Sequence, residues 1–150
     1  MAYNPNNPNG RTTASASAPV VLANDVTPPF SIAEATTGGA SVFRLVSVLG
    51  QNITQVKSPA GQAKITGWYI YNSNGSARTV RFFNVANAPT LPTPPYLTIT
   101  IPALSAANCP FPAGIDFSAG IYIATTTGSL DNANDTSVAA GDLIINIFYK

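Results

Sequence analysis

The stretch KITGWYIYNSNGSARTVRFFNV, residues 64–85, decides the fold class of this 150-residue chain. It places Asn74-Gly75 between two runs rich in β-branched and aromatic side chains, which is the strongest short-range signal for a tight β-hairpin. A two-residue turn there pairs the two strands directly and sets Trp68 opposite Arg81. The stretch therefore predicts a β protein built around this hairpin.

The predicted register sorts the large side chains of the hairpin onto two sheet faces, both too apolar to be left in water. We assign the face that carries Tyr69 and Phe82 to the core. The other face needs a cover, which is either a loop of the same chain or a neighbouring subunit. Arg81 is expected to stack on the indole there. The candidate oligomer interface on this face consists of Trp68, Ile70, Arg81 and Phe83.

Further strand-like runs, rich in Val, Ile, Thr and aromatic residues, flank this stretch: SVFRLVSVL (41–49), ITQVK (53–57), LTITI (97–101), a run over 120–126 and DLIINIFYK (142–150). Two segments rich in proline, ANAPTLPTPP (86–95) and SAANCPFPAG (105–114), are predicted as loops. No segment has a 3.6-residue apolar period. Seven or eight strands predict an all-β fold, a β-sandwich of jelly-roll type.

The first thirty residues have a different composition. Residues 1–19 carry one charge and no apolar periodicity, so they cannot bury enough surface to offset the entropy of ordering. One apolar tetrapeptide, Val20–Ala23, follows them, enclosed by prolines that exclude helix on either side. The sequence predicts an extended N-terminal arm over residues 1–30 and one β-sandwich domain over residues 31–150.

The surface is expected to be polar but nearly uncharged. Charged residues make up 9% of the chain and its net charge is +1, whereas an average soluble domain is about 25% charged. Because interface cores are depleted in charge, the deficit indicates assembly; the alternative is a neutral surface without a partner. The seven Lys and Arg residues run from Arg11 to Lys150 without a cluster, so no nucleic-acid partner is expected.

The segments that would direct the chain to a membrane are not recognisable in the sequence. Met1 is not followed by a basic and then apolar signal peptide, and no apolar run approaches the ~20 residues that span a bilayer. We expect synthesis in a cytoplasm and no membrane partner. The single cysteine, Cys109, has no intrachain partner, so the fold is expected to depend on its hydrophobic core.

Residues that usually carry catalysis are scarce. There is no histidine, and Cys109 therefore lacks its common activator, which favours an inert thiol. Six carboxylates leave open a glycosidase pair of Asp116 and Asp142, although no motif supports it. Asp131, Asp135 and Asp142 match positions 1, 5 and 12 of a calcium loop, but the glycine at position 6 is replaced. We expect no enzyme, no metal site and no cofactor.

Several stretches together resemble a group of small virion structural proteins of tailed bacteriophages. These are PVVLANDVT, GWYIYNSNGSARTVRFFN, LTITIPA, FPAGIDFSAGIYIATTTG and VAAGDLIINIFYK, which cover nearly the whole chain, the last being the most specific. The resemblance implies an all-β subunit, often a homotrimer, on a capsid or fibre and without catalysis. No functional residue is carried over from the family.

The resemblance suggests two main functions. The first is a capsid decoration or cement protein on the outer surface of the virion, whose arm residues Pro19, Val20, Val21 and Leu22 bind the major capsid protein while the β domain forms a homo-oligomer, expected to be a trimer. The alternative is a tail or head fibre module that binds host glycans. Its stacking platforms would be Trp68, Tyr69, Tyr71 or Tyr96. A hydrolase that uses aspartates is a third, weaker hypothesis.

Overall fold

The computed structural model describes residues 39–58 and 62–150, and these form β-strands without a helix. The predicted arm, with Pro19, Val20, Val21 and Leu22, lies outside the described residues. The eight strands are β1 (Ser41–Val46), β2 (Thr54–Lys57), β3 (Ala63–Asn72), β4 (Arg78–Asn84), β5 (Leu97–Ile101), β6 (Ser105–Phe117), β7 (Ile121–Thr126) and β8 (Leu143–Tyr149).

The strands form two four-stranded antiparallel sheets. Sheet A has the order β1-β8-β3-β6 and sheet B the order β2-β7-β4-β5. The pairings are nested along the chain, because β4 pairs with β5, β3 with β6, β2 with β7 and β1 with β8. The all-β prediction is confirmed, and the two sheets fit the predicted β-sandwich.

Both sheets contribute to one hydrophobic core. Trp68 of sheet A lies with its ring centroid 5.8 Å from that of Phe82 in sheet B and 4.8 Å from that of Phe111. Alternate residues of β8, such as Ile145 and Ile147, are fully buried beside them. Burial of each such side chain contributes roughly 1.5–3 kcal/mol, so this core is the main term that holds the sheets together.

The predicted hairpin at Asn74-Gly75 is wrong. β3 pairs with β6 and β8 in sheet A, whereas β4 pairs with β5 and β7 in sheet B. Residues 73–77 therefore cross from one sheet to the other. Positive φ angles occur at four glycines of the described chain, but Gly75 is not among them, so the primed turn that the dipeptide favours does not form.

Side-chain hydrogen bonds hold this crossing in place. The Asn72 amide nitrogen donates to the carbonyls of Ser76 and Pro102 at 2.9 Å each. The backbone N–H of Asn74 donates to the Asn72 side chain, and the Asn74 amide donates to Asp142, both at 2.9 Å. Asn and Ser are common in hairpin turns because their side chains form hydrogen bonds with nearby backbone groups. The same hydrogen bonds stabilise an arch between two sheets, so these residues do not distinguish the two connections.

The loop predicted over residues 105–114 is also wrong, because these residues belong to β6. Prolines 110 and 112 suggested a break, yet β6 is an edge strand, where the missing N–H is tolerated. Ala107, Cys109 and Phe111 alternate toward the core. The other five predicted strand runs are confirmed as β1, β2, β5, β7 and β8.

Candidate functional site

The four residues predicted as an oligomer interface do not form a surface. Trp68 is 8% exposed, Ile70 and Arg81 are 0% exposed and Phe83 is 1% exposed. The face assignment of β3 was inverted, since Trp68 and Ile70 point into the core and Tyr69, at 43% exposure, points outward. For Trp68 and Ile70 the prediction is wrong because it took β3 and β4 as partners in one sheet. Arg81 does face away from the core, and there the alternative cover, a loop of the same chain, is the one observed.

Arg81 lies on the outer side of sheet B under the loop of residues 127–138. Its terminal nitrogens donate to the carbonyls of Asp131 at 3.0 Å and Ala133 at 2.8 Å, and also to the carbonyl of Leu130. Its Nε is buried without a partner. The chain's own loop therefore covers this residue, and the predicted stacking of Arg81 on Trp68 is wrong.

Burial lowers the pKa of Arg81, and the nearby charges of Asp131 and Asp135 partly offset this. An arginine remains charged at any ordinary pH, because its reference pKa is far above neutrality. Asp135 in turn accepts hydrogen bonds from the backbone N–H groups of Thr127 at 2.8 Å and Gly128 at 3.0 Å. The loop is thus held on sheet B by Arg81, and Asp135 closes the loop internally onto its first residues.

Exposed apolar side chains lie instead on the outer face of sheet A. The cross-strand register places alternate residues of its four strands side by side. Val42 is 61% exposed and Val46 is 38% exposed. The outer face of sheet A includes Val42, Arg44, Val46, Tyr69, Tyr71, Asn108, Pro110, Ile144, Asn146 and Phe148 and, at one end of β3, Lys64 and Asp116.

A cleft opens within this face because β3 has a glycine at its bulge. Gly67 lies so close to β6 that a Cβ atom would stand 3.0 Å from the carbonyl oxygen of Cys109. Tyr69, Asn108, Pro110 and Phe148 line the walls, and the cleft has a volume of about 420 Å³. We call it the Gly67 groove. Its size falls within the range of ligand pockets, and its lining is mainly apolar.

Charged residues of the outer face of sheet A include Lys64 and Asp116, which pair with each other at one end of β3, and Arg44. Arg44 lies in one row with Asn146, Tyr69 and Asn108, so it is two strands, or about 10 Å, from the tyrosine. Among the described residues it makes no salt bridge; the two that occur join Lys64 to Asp116 and Arg78 to Asp142. Within the described chain, this face therefore offers Arg44 as a cation without a salt-bridge partner, flanked on β1 by the exposed Val42 and Val46.

The carboxylate pair considered for glycoside hydrolysis is widely separated. Asp116 lies opposite Lys64 at one end of β3, and Asp142 precedes Leu143, which lies opposite Asn72 at the other end. Eight residues of strand separate these ends, about 26 Å. A glycosidase needs its two carboxyl groups within about 5–9.5 Å, so this pair cannot perform the reaction.

The three aspartates of the calcium-loop match are used within the fold. Thr98 donates to Asp131 at 3.2 Å, Asp135 accepts from the backbone, and Asp142 pairs with Arg78. In the described part of the chain, no three metal-ligating side chains are grouped. Cys109 is half-buried and packs against the core.

The ion pair of Arg78 and Asp142 is the main electrostatic feature at the end of the sandwich where β3 crosses to β4. Its Nε–Oδ2 distance is 2.7 Å, and each side chain is 9% exposed. Burial alone raises the pKa of Asp142. The backbone N–H of Ala139, the Arg78 guanidinium and the Asn74 amide outweigh burial and hold that pKa below its usual value. This pair fastens the arch and the start of β8 to each other.

Sequence reasoning missed the outer face of sheet A and the Gly67 groove. The alternation Ala107, Cys109, Phe111 in the supposed loop was the available signal, because it marks an additional strand beside β3. No family model matches the chain, and no curated protein and no solved structure matches it. Within residues 39–58 and 62–150, no helix is long and apolar enough to cross a membrane.

Proposed function

We propose that this chain is a non-enzymatic structural protein of a tailed-bacteriophage virion, specifically a capsid decoration or cement protein. Its N-terminal arm binds the major capsid protein on the outer surface of the shell, through Pro19, Val20, Val21 and Leu22. Its β domain forms a homo-oligomer, a trimer in the simplest case. The chain is synthesised in the host cytoplasm and needs neither cofactor nor nucleic acid.

The observation that carries this proposal is the nested strand pairing. Pairing of β1 with β8, β2 with β7, β3 with β6 and β4 with β5 is what results when one long hairpin is wrapped into two sheets. We take this as a jelly roll, an architecture that recurs in viral capsid and lectin domains. Fold alone does not specify function, so the proposal also uses the surface of the domain.

The surface supports assembly rather than chemistry. The outer face of sheet A combines exposed Val42, Val46 and Tyr69 with Arg44, which has no salt-bridge partner among the described residues. The carboxylates of the described domain are each bound by a hydrogen bond or a salt bridge, as Asp116 is by Lys64 at 3.1 Å. A surface of this kind gains free energy when it is covered by protein.

The role of the arm is tested by binding to purified capsids that lack this protein. In the full-length chain, Val21→Asp together with Leu22→Asp places charge where apolar contacts are proposed, so cosedimentation with capsids should be lost. Ala14→Asp together with Ala16→Asp is the matched control, which should bind normally. Equal thermal unfolding of the variants would show that the domain is intact. Full binding by the Val21, Leu22 variant would refute the role of the arm.

A second candidate function is glycan binding by a fibre module. It is favoured by Tyr69, which is 43% exposed beside Asn108 in the Gly67 groove, since an aromatic ring with a neighbouring amide can stack on a sugar and bond to it. Tyr96, at 57% exposure, is a second possible platform, whereas Trp68 is buried. Glycan-array binding that disappears in both Tyr69→Ala and Asn108→Ala, but not in Tyr96→Ala, would favour this function over the first.

A further inference from the structure

The outer face of sheet A offers a flat surface with one cleft in it. Four strands spaced about 4.8 Å apart, over about six residues of about 3.3 Å each, give a flat footprint of roughly 400 Å². The Gly67 groove adds depth to this footprint, so a partner that inserts a side chain there buries more surface than one that lies on the flat sheet alone.

A second exposed patch lies on the opposite side of the sandwich, at the tip of the loop over sheet B. Leu130 there is 71% exposed, and the exposed Asp131 follows it directly. The loop is not free to fold this leucine inward, because the buried Arg81 guanidinium bonds the carbonyls of residues 130, 131 and 133. An exposed leucine on a rigidly held backbone is preorganised for contact with a partner.

The two patches are complementary in chemistry. The Gly67 groove is apolar and has Arg44 about 10 Å from Tyr69 in the same row. The loop tip presents an apolar side chain and, on the next residue, an exposed carboxylate that accepts a hydrogen bond from Thr98 through Oδ1 and has further acceptor capacity on its second oxygen. With Leu130 in the groove, the Asp131 carboxylate needs only the length of an arginine side chain to meet Arg44, and a desolvated pair of this kind fixes register and partner.

We propose that the Gly67 groove of one copy of this chain receives Leu130 of a second copy, with Asp131 of that copy paired to Arg44. The contact joins two different patches, so it is heterologous and propagates head to tail, giving a ring if the rotation closes. This contact places the oligomer interface on exposed residues. It replaces the interface predicted from sequence, which consisted of the buried residues Trp68, Ile70, Arg81 and Phe83. This inference rests on the proposed function, in which the β domain oligomerises.

The test is the mass of the full-length protein in solution, measured by sedimentation velocity. The wild type should associate, and Arg44→Asp should weaken association by about tenfold or more, because it sets two carboxylates against each other. Leu130→Asp should have a similar effect without removing the carbonyls that hold Arg81. The double variant Arg44→Asp, Asp131→Arg should regain association, since it restores the pair with its signs exchanged.

Cross-linking supplies a second readout that does not depend on stability. In a Cys109→Ser background, Asn108→Cys in the groove and Leu130→Cys on the loop are made in separate chains. Mixing the two variants should give a disulfide-linked heterodimer faster and in higher yield than either variant gives with itself. Equal yields in all three samples would overturn the proposal, as would association that is unchanged by Arg44→Asp and by Leu130→Asp.

The outcomes for the two proposals are separable. A wild-type protein that stays monomeric at its highest soluble concentration, yet binds capsids through its arm, would overturn the head-to-tail contact and leave the decoration function standing. Loss of capsid binding in the arm variant with intact association would support both proposals. An associating protein that never binds capsids would overturn the decoration function only.

Discussion

Asp142 shows how one residue joins separate parts of this fold. Its carboxylate accepts from Arg78 of β4, from Asn74 in the arch and from the backbone of Ala139, at 2.7, 2.9 and 3.0 Å. Arg78 and Asp142 are both buried, so removal of either partner leaves an uncompensated charge in a desolvated site. The pair is therefore costly to break, whatever its net contribution.

The lowered pKa of Asp142 predicts an acid-sensitive contribution to stability. The folded state holds this proton more weakly than the unfolded chain does, so the contribution is fully present above the ordinary aspartate value near 4 and is lost as the pH falls through the lowered pKa. Asp142→Asn should cost about 3–5 kcal/mol at pH 7. Its loss of stability between pH 5 and pH 2 should be smaller than that of the wild type. Urea unfolding at several pH values measures both effects, and parallel pH curves would contradict the assignment.

Arg81 should tolerate no replacement, even by another cation. Lysine carries one ammonium group and cannot reach the three carbonyls of residues 130, 131 and 133 that the guanidinium fork satisfies. Arg81→Lys should lower the free energy of unfolding by about 2–4 kcal/mol, since buried acceptors lose their donors. Cleavage of the loop by a protease should also become faster. Arg44→Lys, the same change on the exposed face, should stay within about 0.5 kcal/mol. Equal losses in the free energy of unfolding for Arg81→Lys and Arg44→Lys would refute the role of Arg81 in holding the loop.

At the scale of elements, the connection from β3 to β4 distinguishes an arch from a hairpin. A two-residue hairpin turn requires positive φ at Gly75, so Gly75→Ala would cost about 1 kcal/mol or more there. In the arch Gly75 lacks positive φ, and a Cβ on it meets nothing within 4 Å. We expect Gly75→Ala to be neutral or slightly stabilising in thermal unfolding. A clear loss would indicate that β3 and β4 form a hairpin.

Adjacent residues of β3 test which of its faces is the core. Trp68→Ala removes a ring packed between Phe82 and Phe111 and should cost about 3–5 kcal/mol. Tyr69→Ala removes a side chain that is 43% exposed on the outer face and should cost far less. Chemical denaturation of the two variants gives the ranking. The reverse ranking would restore the face assignment that the hairpin implied.

Which elements could be predicted from sequence depends on whether their signals are local. β5 was predictable because Leu97, Ile99 and Ile101 alternate with threonines, a pattern that a half-buried strand imposes by itself. The pairing partner of β3 was not predictable from sequence. Asn74-Gly75 specifies only a local bend, whereas the sheet to which each strand belongs follows from burial of Trp68 against Phe82. β6 was missed because its prolines break a central strand but not an edge strand.

The candidate site could be predicted only in kind. Low charge predicts a surface for assembly without locating it. Two of the residues chosen for it, Trp68 and Ile70, point into the core, because face assignment depends on strand pairing and a wrong partner for β3 inverts it. The Gly67 groove depends on the close approach of β3 to β6, which no sequence pattern near Gly67 reveals. Composition thus predicts the general character of the surface, but it does not predict which residues form that surface.

At the scale of the whole molecule, we propose that the β domain associates through its surface and that residues 1–30 attach it to a capsid. The nested pairing and the shared core explain how 9% charged residues suffice for folding, since few charges are needed where apolar burial dominates. Under the proposed function, such a neutral domain gains its position from assembly on the capsid. Copies should therefore occur in stoichiometric amounts on purified particles, which quantitative mass spectrometry of virions measures.

The most direct measurement of the proposed function is a cryo-electron microscopy reconstruction of intact virions that contain this chain. We expect an eight-stranded domain on the outer surface of the capsid, with residues 19–22 in contact with the major capsid protein. Particles whose capsids carry no such density, or a domain bound to the shell with residues 19–22 making no contact, would contradict the proposed function.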